Sequence, residues 1–332
     1  MKFVDKESDM SGIKDVAKKA GVSISTVSNV LNGRKNVGKE TRERVLNICK
    51  ELNYYPNSAG RALKSGKSNV LLFNFGDFDR SFYLKIIHGI SDCVNDYDYD
   101  LAIITEKSCE KFMRSNMSAG SIVLDEKIPD ELLISVASRK YPIVVLDRKI
   151  DNPNIKSVII DNYNPMKKLV QGLVDKGYKK FAFIAGPEHT LDTIERYKAF
   201  RDVLELNAIE FSENYYYAGN YREKSGYLAA KIFILSQELP EVFVCANDNM
   251  ALGAIKALEE NGHRVPQDVA VTGFDNEQSA QIMGLTTVDI PKYELGFIAA
   301  KYLIEYIKGK KQMHDILVEA KVIWRETTPD RK

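Results

Sequence analysis

The chain has 332 residues, 44% hydrophobic and 28% charged, a length that points to two or three domains and a composition ordinary for a soluble globular protein. No run of 18 apolar residues exists, the four cysteines (Cys49, Cys93, Cys109, Cys245) form no C-x-x-C pair, and the four histidines are scattered, so a membrane span, a disulfide framework and a metal centre are argued against. The net charge of +1 conceals an asymmetry: residues 1–68 carry 14 Lys+Arg against 7 Asp+Glu, and residues 69–332 carry 33 against 39. A basic end on an acidic body is the footprint of a chain that meets a polyanion at one end only, although a solvated surface would read the same.

Residues 1–10, "MKFVDKESDM", are charged and lack the apolar core of a signal peptide, so they are expected to be a disordered extension on a cytoplasmic protein with reduced thiols. Residues 11–56 read as three helices. The first, Ile13 to Ala20, turns Val16, Ala17 and Ala20 inward, and Gly21 can take the positive φ of a tight turn. Ser23 is placed to cap a second helix, Ile24 to Leu31, whose buried stripe is Val27, Val30 and Leu31. Ser25, Ser28, Asn29 and Asn32 are left outside. A third helix from about Lys39 to Leu52 buries Val45, Ile48, Cys49 and Leu52.

That arrangement is a helix-turn-helix, whose second helix faces a DNA major groove. Asn29 has the geometry to pair bidentately with adenine, Ser25 can donate or accept, and Ile24 can touch a thymine methyl. A merely solvated face remains the alternative for Ser25 and Asn29, and the edge of the small core for Ile24. Phosphate contacts are expected from Lys14, Ser23, Thr26, Arg34, Arg42 and Asn57, with Lys18, Lys35 and Arg44 as further cations. Residues 57–68 follow a helix-stopping Pro56, and Ser58 to Lys64 is too short a helix to hold alone in water. Leu63, with Ala59 and Arg61 beside it, suits a minor-groove wedge; an ordinary linker is the other reading. "GRALKSGKS" is not a phosphate-binding loop, because five residues separate Gly60 from Gly66 where four are needed and no strand precedes it.

From Asn69 the pattern alternates between short apolar runs ("NVLLFNFG", "LAIIT", "SIVLD", "PIVVLD", "SVIID", "KFAFIAG", "VFVCAN", "DVAVTGFD") and amphipathic helical segments. Such alternation predicts two parallel sheets covered by helices, with ligand beyond the carboxyl ends of the strands. Those ends carry Asp77, Phe78, Asp125, Asp147, Arg148, Asp161, Asn247, Asp248 and Asp275, a set that suits a hydroxyl-rich ligand. Asp248 is equally a natural cap for a helix from Asn249 to Asn261, and Asp275 equally the cap of a turn.

Taken together, "IKDVAKKAGVSISTVSNVLNG", "LNYYPNSAGRALKSGKS", "GPEHTLDTIERYKAFRDVL", "CANDNMALGAIKALEENGHRVPQDVAVTGFDN" and "LTTVDIPKYELG" resemble the lac-repressor/galactose-repressor family over nearly the whole chain from Ser11. The resemblance implies an all-α helix-turn-helix head and an α/β core of two doubly wound parallel-sheet subdomains of periplasmic-binding-protein type. It places about 69–164 and 290–317 in one subdomain and about 165–289 and 318–328 in the other. It implies base reading by Ile24, Ser25 and Asn29, an intercalating Leu63, and effector contacts from Arg196, Asn247, Asp248 and Asp275, to which Phe82, Asn164 and Phe274 are added. Arg196 has the alternative of an ion pair with Glu195 or Asp192. Gly60 and Gly38 depart from the family's usual alanine and serine, Asp289 and Ile290 stand where a basic residue and a glutamine are usual, and the segments "TEKSCEKFMRSNMSAGSIVL" (Thr105 to Leu124) and after Asp125 are shortened.

The function implied is a sequence-specific transcriptional repressor of carbohydrate-utilisation genes, governed by a sugar or sugar derivative. A phosphorylated partner protein or a nucleobase is the alternative signal. A homodimer on a pseudo-palindromic operator is expected, since no leucine heptad follows "VIWRETTPDRK". No cofactor is expected. An enzyme is argued against by the lack of G-x-S-x-G, H-E-x-x-H and G-x-G-x-x-G, and a transport receptor by the basic head and the missing signal peptide.

Overall fold

The structure is a computed structural model that describes residues 12–55 and 68–331, apart from 32, 35, 77, 79, 80, 116, 236, 237 and 310–313. The expectations for residues 1–10, Asn32, Lys35, Asn57, Ala59, Arg61, Leu63 and Asp77 therefore lie outside the described residues. The chain divides into two units between residues 67 and 68.

The described residues of the first unit form three helices, α1 (Ile13–Ala20), α2 (Ile24–Leu31) and α3 (Lys39–Glu51). Gly21 ends α1 at φ +64°, a left-handed conformation that costs glycine nothing, and its N–H closes on the carbonyls of Ala17 and Lys18. Ser23 Oγ accepts the Thr26 N–H at 3.1 Å and so starts α2. Val16, Ala17, Ala20, Val27, Val30, Val45 and Cys49 form the core, with Leu31, Ile48 and Leu52 half-buried around it.

The second unit begins with β1 (Val70–Phe75), α4 (Phe82–Asp96), β2 (Asp100–Ile104), α5 (Glu106–Arg114), β3 (Gly120–Leu124), α6 (Asp130–Val136), β4 (Ile143–Val145) and β5 (Ile155–Ile160). It continues through α7 (Tyr163–Asp175), β6 (Phe181–Ala185), α8 (Leu191–Leu206), β7 (Tyr216–Ala218), α9 (Glu223–Ile234), β8 (Val242–Cys245), α10 (Asp248–Glu260) and β9 (Ala270–Thr272). It closes with α11 (Gln278–Ile282), β10 (Thr287–Asp289), α12 (Lys292–Ile307), β11 (Ile316–Val318) and β12 (Lys321–Ile323). Two parallel sheets result, in the orders β11-β5-β4-β3-β1-β2 and β7-β6-β8-β9. Each defines a lobe. The chain crosses between lobes after β5, after β10 and after β11, and an antiparallel β10–β12 ladder, not expected from the alternation, ties two of those crossings together.

The strands are the apolar runs because a parallel strand buried on both faces needs no polar alternation. Phe73, Ile122, Val144 and Val158 are fully buried in the first sheet; Phe183, Phe243 and Val271 are fully buried in the second. In the first lobe α4 and α12 pack so closely that glycine is required at the crossing. A Cβ on Gly89 would lie 2.0 Å from the Tyr293 carbonyl oxygen, and one on Gly296 would lie 2.1 Å from that of Ile86. The shortened segments fold as a 9-residue α5 and a 7-residue α6. They still cover the outer face of the first sheet, through Cys109, Met113 and Leu133 on Leu72, Val123 and Ile143.

Candidate functional site: a helix-turn-helix face and an interlobe cavity

In the head, Ile24 is 45% exposed, so it is not an edge of the core. Ser25 is exposed on the same turn, and Asn29 is half-buried one turn on. Ser23 Oγ lies 2.7 Å from Ser25 Oγ and 2.8 Å from Thr26 Oγ1, a hydroxyl cluster at the positive end of α2. Lys14, Lys18, Arg34 and Arg44 are exposed. Arg42 is placed differently from a free phosphate contact. Its guanidinium donates to the carbonyls of Val30 (3.3 Å) and Arg34, satisfying the open end of α2 from α3.

In the core, a cavity of about 480 Å³ opens between the lobes at the carboxyl ends of their strands. From the first lobe it is lined by Phe82, Tyr83, Asp125, Glu126, Asp147 and Arg148. The second lobe contributes His189, Thr190, Asp192, Arg196, Tyr221 and Asp275, with Asn220 and Arg222 beside them. Arg196 is 2% exposed: Nε donates to Asn162 Oδ1 at 2.8 Å, one terminal nitrogen donates to the Ala246 carbonyl at 2.6 Å, and the other is 3.8 Å from Asp192. Its face rests on Phe274, 3.7 Å from the ring centroid, so Phe274 serves as the floor under Arg196 and does not line the cavity.

Arg148 is similarly committed. It donates to Asp130 Oδ1 (2.7 Å), Asp147 Oδ2 (2.9 Å) and the carbonyls of Asp125 (3.1 Å) and Ile128 (2.6 Å). Burial, with Asp192 and Asp125 nearby, pushes the Asp147 carboxyl up to about 7 against the opposing pull of Arg148. Across the mouth, His189 Nε2 of the second lobe lies 3.6 Å from Glu126 Oε2 of the first.

Other expected contacts are placed elsewhere by competing hydrogen bonds. Asp161 holds the start of α7, its two oxygens accepting the backbone N–H (3.0 Å) and Nδ2 (2.8 Å) of Asn164. Both residues are thereby kept off the cavity wall. Asn247, rather than Asp248, caps α10: its Oδ1 accepts the Met250 N–H at 3.0 Å while Nδ2 donates to the Tyr221 carbonyl at 3.1 Å. Asp248 is fully buried behind the wall, accepting from Thr287 Oγ1 (2.6 Å) and the Glu277 N–H (2.7 Å). Burial and the Asp275 carboxylate push its own carboxyl up. Phe78 is 70% exposed against Phe75 and does not line the cavity. Asp275 does line it, at φ +118°.

Three side chains behind the cavity carry no sequence signal of their own. Lys292, 2% exposed at the start of α12, donates to the Asp275 carbonyl and lies 3.1 Å from Glu277 Oε1. Ser81, just before α4 in the first lobe, donates to Glu277 Oε2 at 2.6 Å. A buried polar chain thus joins the lobes beneath Asp275. Among the described residues no group of three or more His, Cys, Asp or Glu is placed to hold a metal ion, and no helix is long and apolar enough to cross a membrane.

Residues 12–57 match the model of the bacterial regulatory proteins of the lacI family, and residues 170–328 match that of the periplasmic binding protein-like domain. The chain is 33% identical to the HTH-type transcriptional regulator RegA of Clostridium saccharobutylicum, over 96% of this chain and 99% of RegA. Among solved structures it resembles the lac repressor dimer bound to operator and an anti-inducer (26% identity, 96% of this chain, 99% of that one, TM-score 0.85). It also resembles the transcriptional regulator CelR in complex with cellobiose (25% identity, 96% of this chain, 99% of that one, TM-score 0.72). The chain therefore belongs to the lacI family of bacterial regulatory proteins: it is a DNA-binding transcriptional regulator, with a helix-turn-helix head and an effector-binding core of two parallel-sheet lobes.

Proposed function

We propose that this regulator represses carbohydrate-utilisation genes and answers to a sugar or sugar derivative held in the interlobe cavity. The observation that carries the reading is the cavity wall itself. Phe82, Tyr83 and Tyr221 offer apolar ring surface, and Thr190, Asn220, Asp125 and Asp275 offer paired donors and acceptors, the combination that a pyranose with one apolar face and a rim of hydroxyls requires. CelR, similar throughout, was solved with cellobiose. The head would read DNA through Ile24, Ser25 and Asn29 and hold phosphates through Lys14, Ser23, Thr26 and Arg34, in a homodimer on a pseudo-palindromic site. Asp125, Asp147, Arg196 and Asp275 are the effector contacts of this reading. Membership of a family of regulatory proteins supports reading the bound sugar as a signal and not a substrate.

A thermal-shift screen of the full chain against sugars, nucleobases and hexose phosphates tests the assignment, because a ligand of the native state raises apparent stability by mass action. Stabilisation by a sugar, with a changed operator affinity in its presence, is the expected result. Stabilisation by nucleobases alone, or a response that needs an added phosphoprotein, would replace the sugar reading.

A further inference from the structure

Resting on the reading of the cavity as the effector site, we propose that the effector is a cationic polyol, a sugar bearing a protonated amine, and that Asp147 is the counter-ion of its ammonium group. The cavity's two best-buried cations are largely committed to the protein. Arg148 donates to Asp130, Asp147 and two carbonyls, and Arg196 donates to Asn162 and the Ala246 carbonyl, with Asp192 3.8 Å away and one face covered by Phe274. Five carboxylates (Asp125, Glu126, Asp147, Asp192 and Asp275) line the cavity against four lysines and arginines (Lys127, Arg148, Arg196 and Arg222), a negative surplus that a carboxylate or phosphate would deepen and a cation offsets. A donor-bearing cation meets the opposite situation. Among the described residues Asp147 Oδ1 is buried with no hydrogen-bond partner, and Arg148, with which Asp147 pairs, is shared with Asp130. A buried acceptor without a donor is costly, and it can be satisfied by taking up a proton or by a ligand's N–H.

The charged groups that face Asp147 are Arg148 on its own strand end, Asp125 beyond β3 and Asp192 on α8, so two of the three oppose its ionisation. The empty site accordingly holds the Asp147 carboxyl near half protonation at neutrality. Docking of an ammonium favours the carboxylate, and the carboxyl proton passes to solvent. Ligand binding and proton release are thus linked, and the affinity for an amino sugar rises about tenfold from pH 5.5 to pH 7.

Isothermal titration of the full chain with hexosamines, the parent hexoses, hexuronates and hexose phosphates tests this, in buffers of differing ionisation enthalpy. The expected result is that a hexosamine binds at least tenfold tighter than its parent hexose and releases about half a proton per site at pH 7, while the uronate and phosphate do not bind. Asp147→Asn should remove the preference and the proton release together, and its melting temperature reports whether it is folded. An uncharged hexose binding as tightly as its amine, or a uronate binding better, would overturn the cation assignment and leave the sugar reading standing. Silence across all four classes would overturn both. The wild-type proton release stands as evidence even if the variant does not fold.

Discussion

The Lys292 ammonium lies 3.1 Å from Glu277 Oε1, and both side chains are buried. The lysine begins α12, which packs on α4 in the first lobe, and the glutamate follows β9 in the second; Ser81 completes the bridge from the first lobe. An ion pair in this position holds the lobes in register beneath the cavity floor, since Lys292 also takes the carbonyl of the cavity-lining Asp275. Removing one partner strands the other charge. Glu277→Ala should destabilise the core by about 3–5 kcal/mol in urea denaturation, and the double replacement Lys292→Met with Glu277→Gln should lose less than that single change. A single variant within 1 kcal/mol of wild type would show that the pair is solvated.

Asp147 gives the core a pH dependence opposite to that of an ordinary salt-bridged carboxylate. Its carboxyl is at about 7 in the folded chain and near 3.9 when unfolded, so the native state binds more protons between those values. Stability from this group is complete below pH 4 and is lost as pH rises through 7. Asp147→Asn should therefore gain on wild type with rising pH, by roughly 2 kcal/mol between pH 5.5 and 7.5, read as diverging melting temperatures of the two ligand-free proteins. Parallel melting curves would place the Asp147 carboxyl at an ordinary value.

At the α4–α12 crossing, Gly89→Ala and Gly296→Ala should each cost about 1–3 kcal/mol, because each methyl meets a backbone carbonyl that can move only if a whole helix moves. Unchanged denaturation midpoints would mean that the helices separate freely. Since α12 begins at Lys292, the same variants should also blunt any ligand response.

In the head, Ser23→Ala removes the acceptor for the Thr26 N–H and should cost about 1 kcal/mol of head stability. Asn29→Ala should leave stability nearly intact and relax one base position by about 1–3 kcal/mol in a binding-site selection. An unchanged selection profile would remove Asn29 from the reading surface.

Much of this architecture is legible in the sequence where a segment's own pattern decides its structure. The stripes Val16–Ala17–Ala20 and Val27–Val30 fix α1 and α2, and the eight apolar runs are eight of the twelve strands among the described residues. The four strands that escaped, β7, β10, β11 and β12, are three residues long, as β4 and β9 also are, and only their tertiary pairing marks them as strands. The cavity was legible only in part for a related reason. Asp125, Asp147, Arg148 and Asp275 stand where a strand-end rule finds them. Asp161, Asn247 and Asp248 satisfy the same rule but are captured by Asn164, Met250, Thr287 and Glu277. Conversely, Tyr83, His189, Thr190 and Tyr221 reach the cavity from helix starts and loops whose positions depend on how the two lobes face each other.

The central claim, that occupancy of the cavity controls operator binding, is tested most directly by fluorescence anisotropy of a labelled operator duplex. Full-length protein is titrated with and without the sugar that raises its melting temperature most. The affinity should change by about 5- to 150-fold at saturating ligand, the usual range of coupling between two linked sites. An identical affinity with the cavity filled and empty would contradict it.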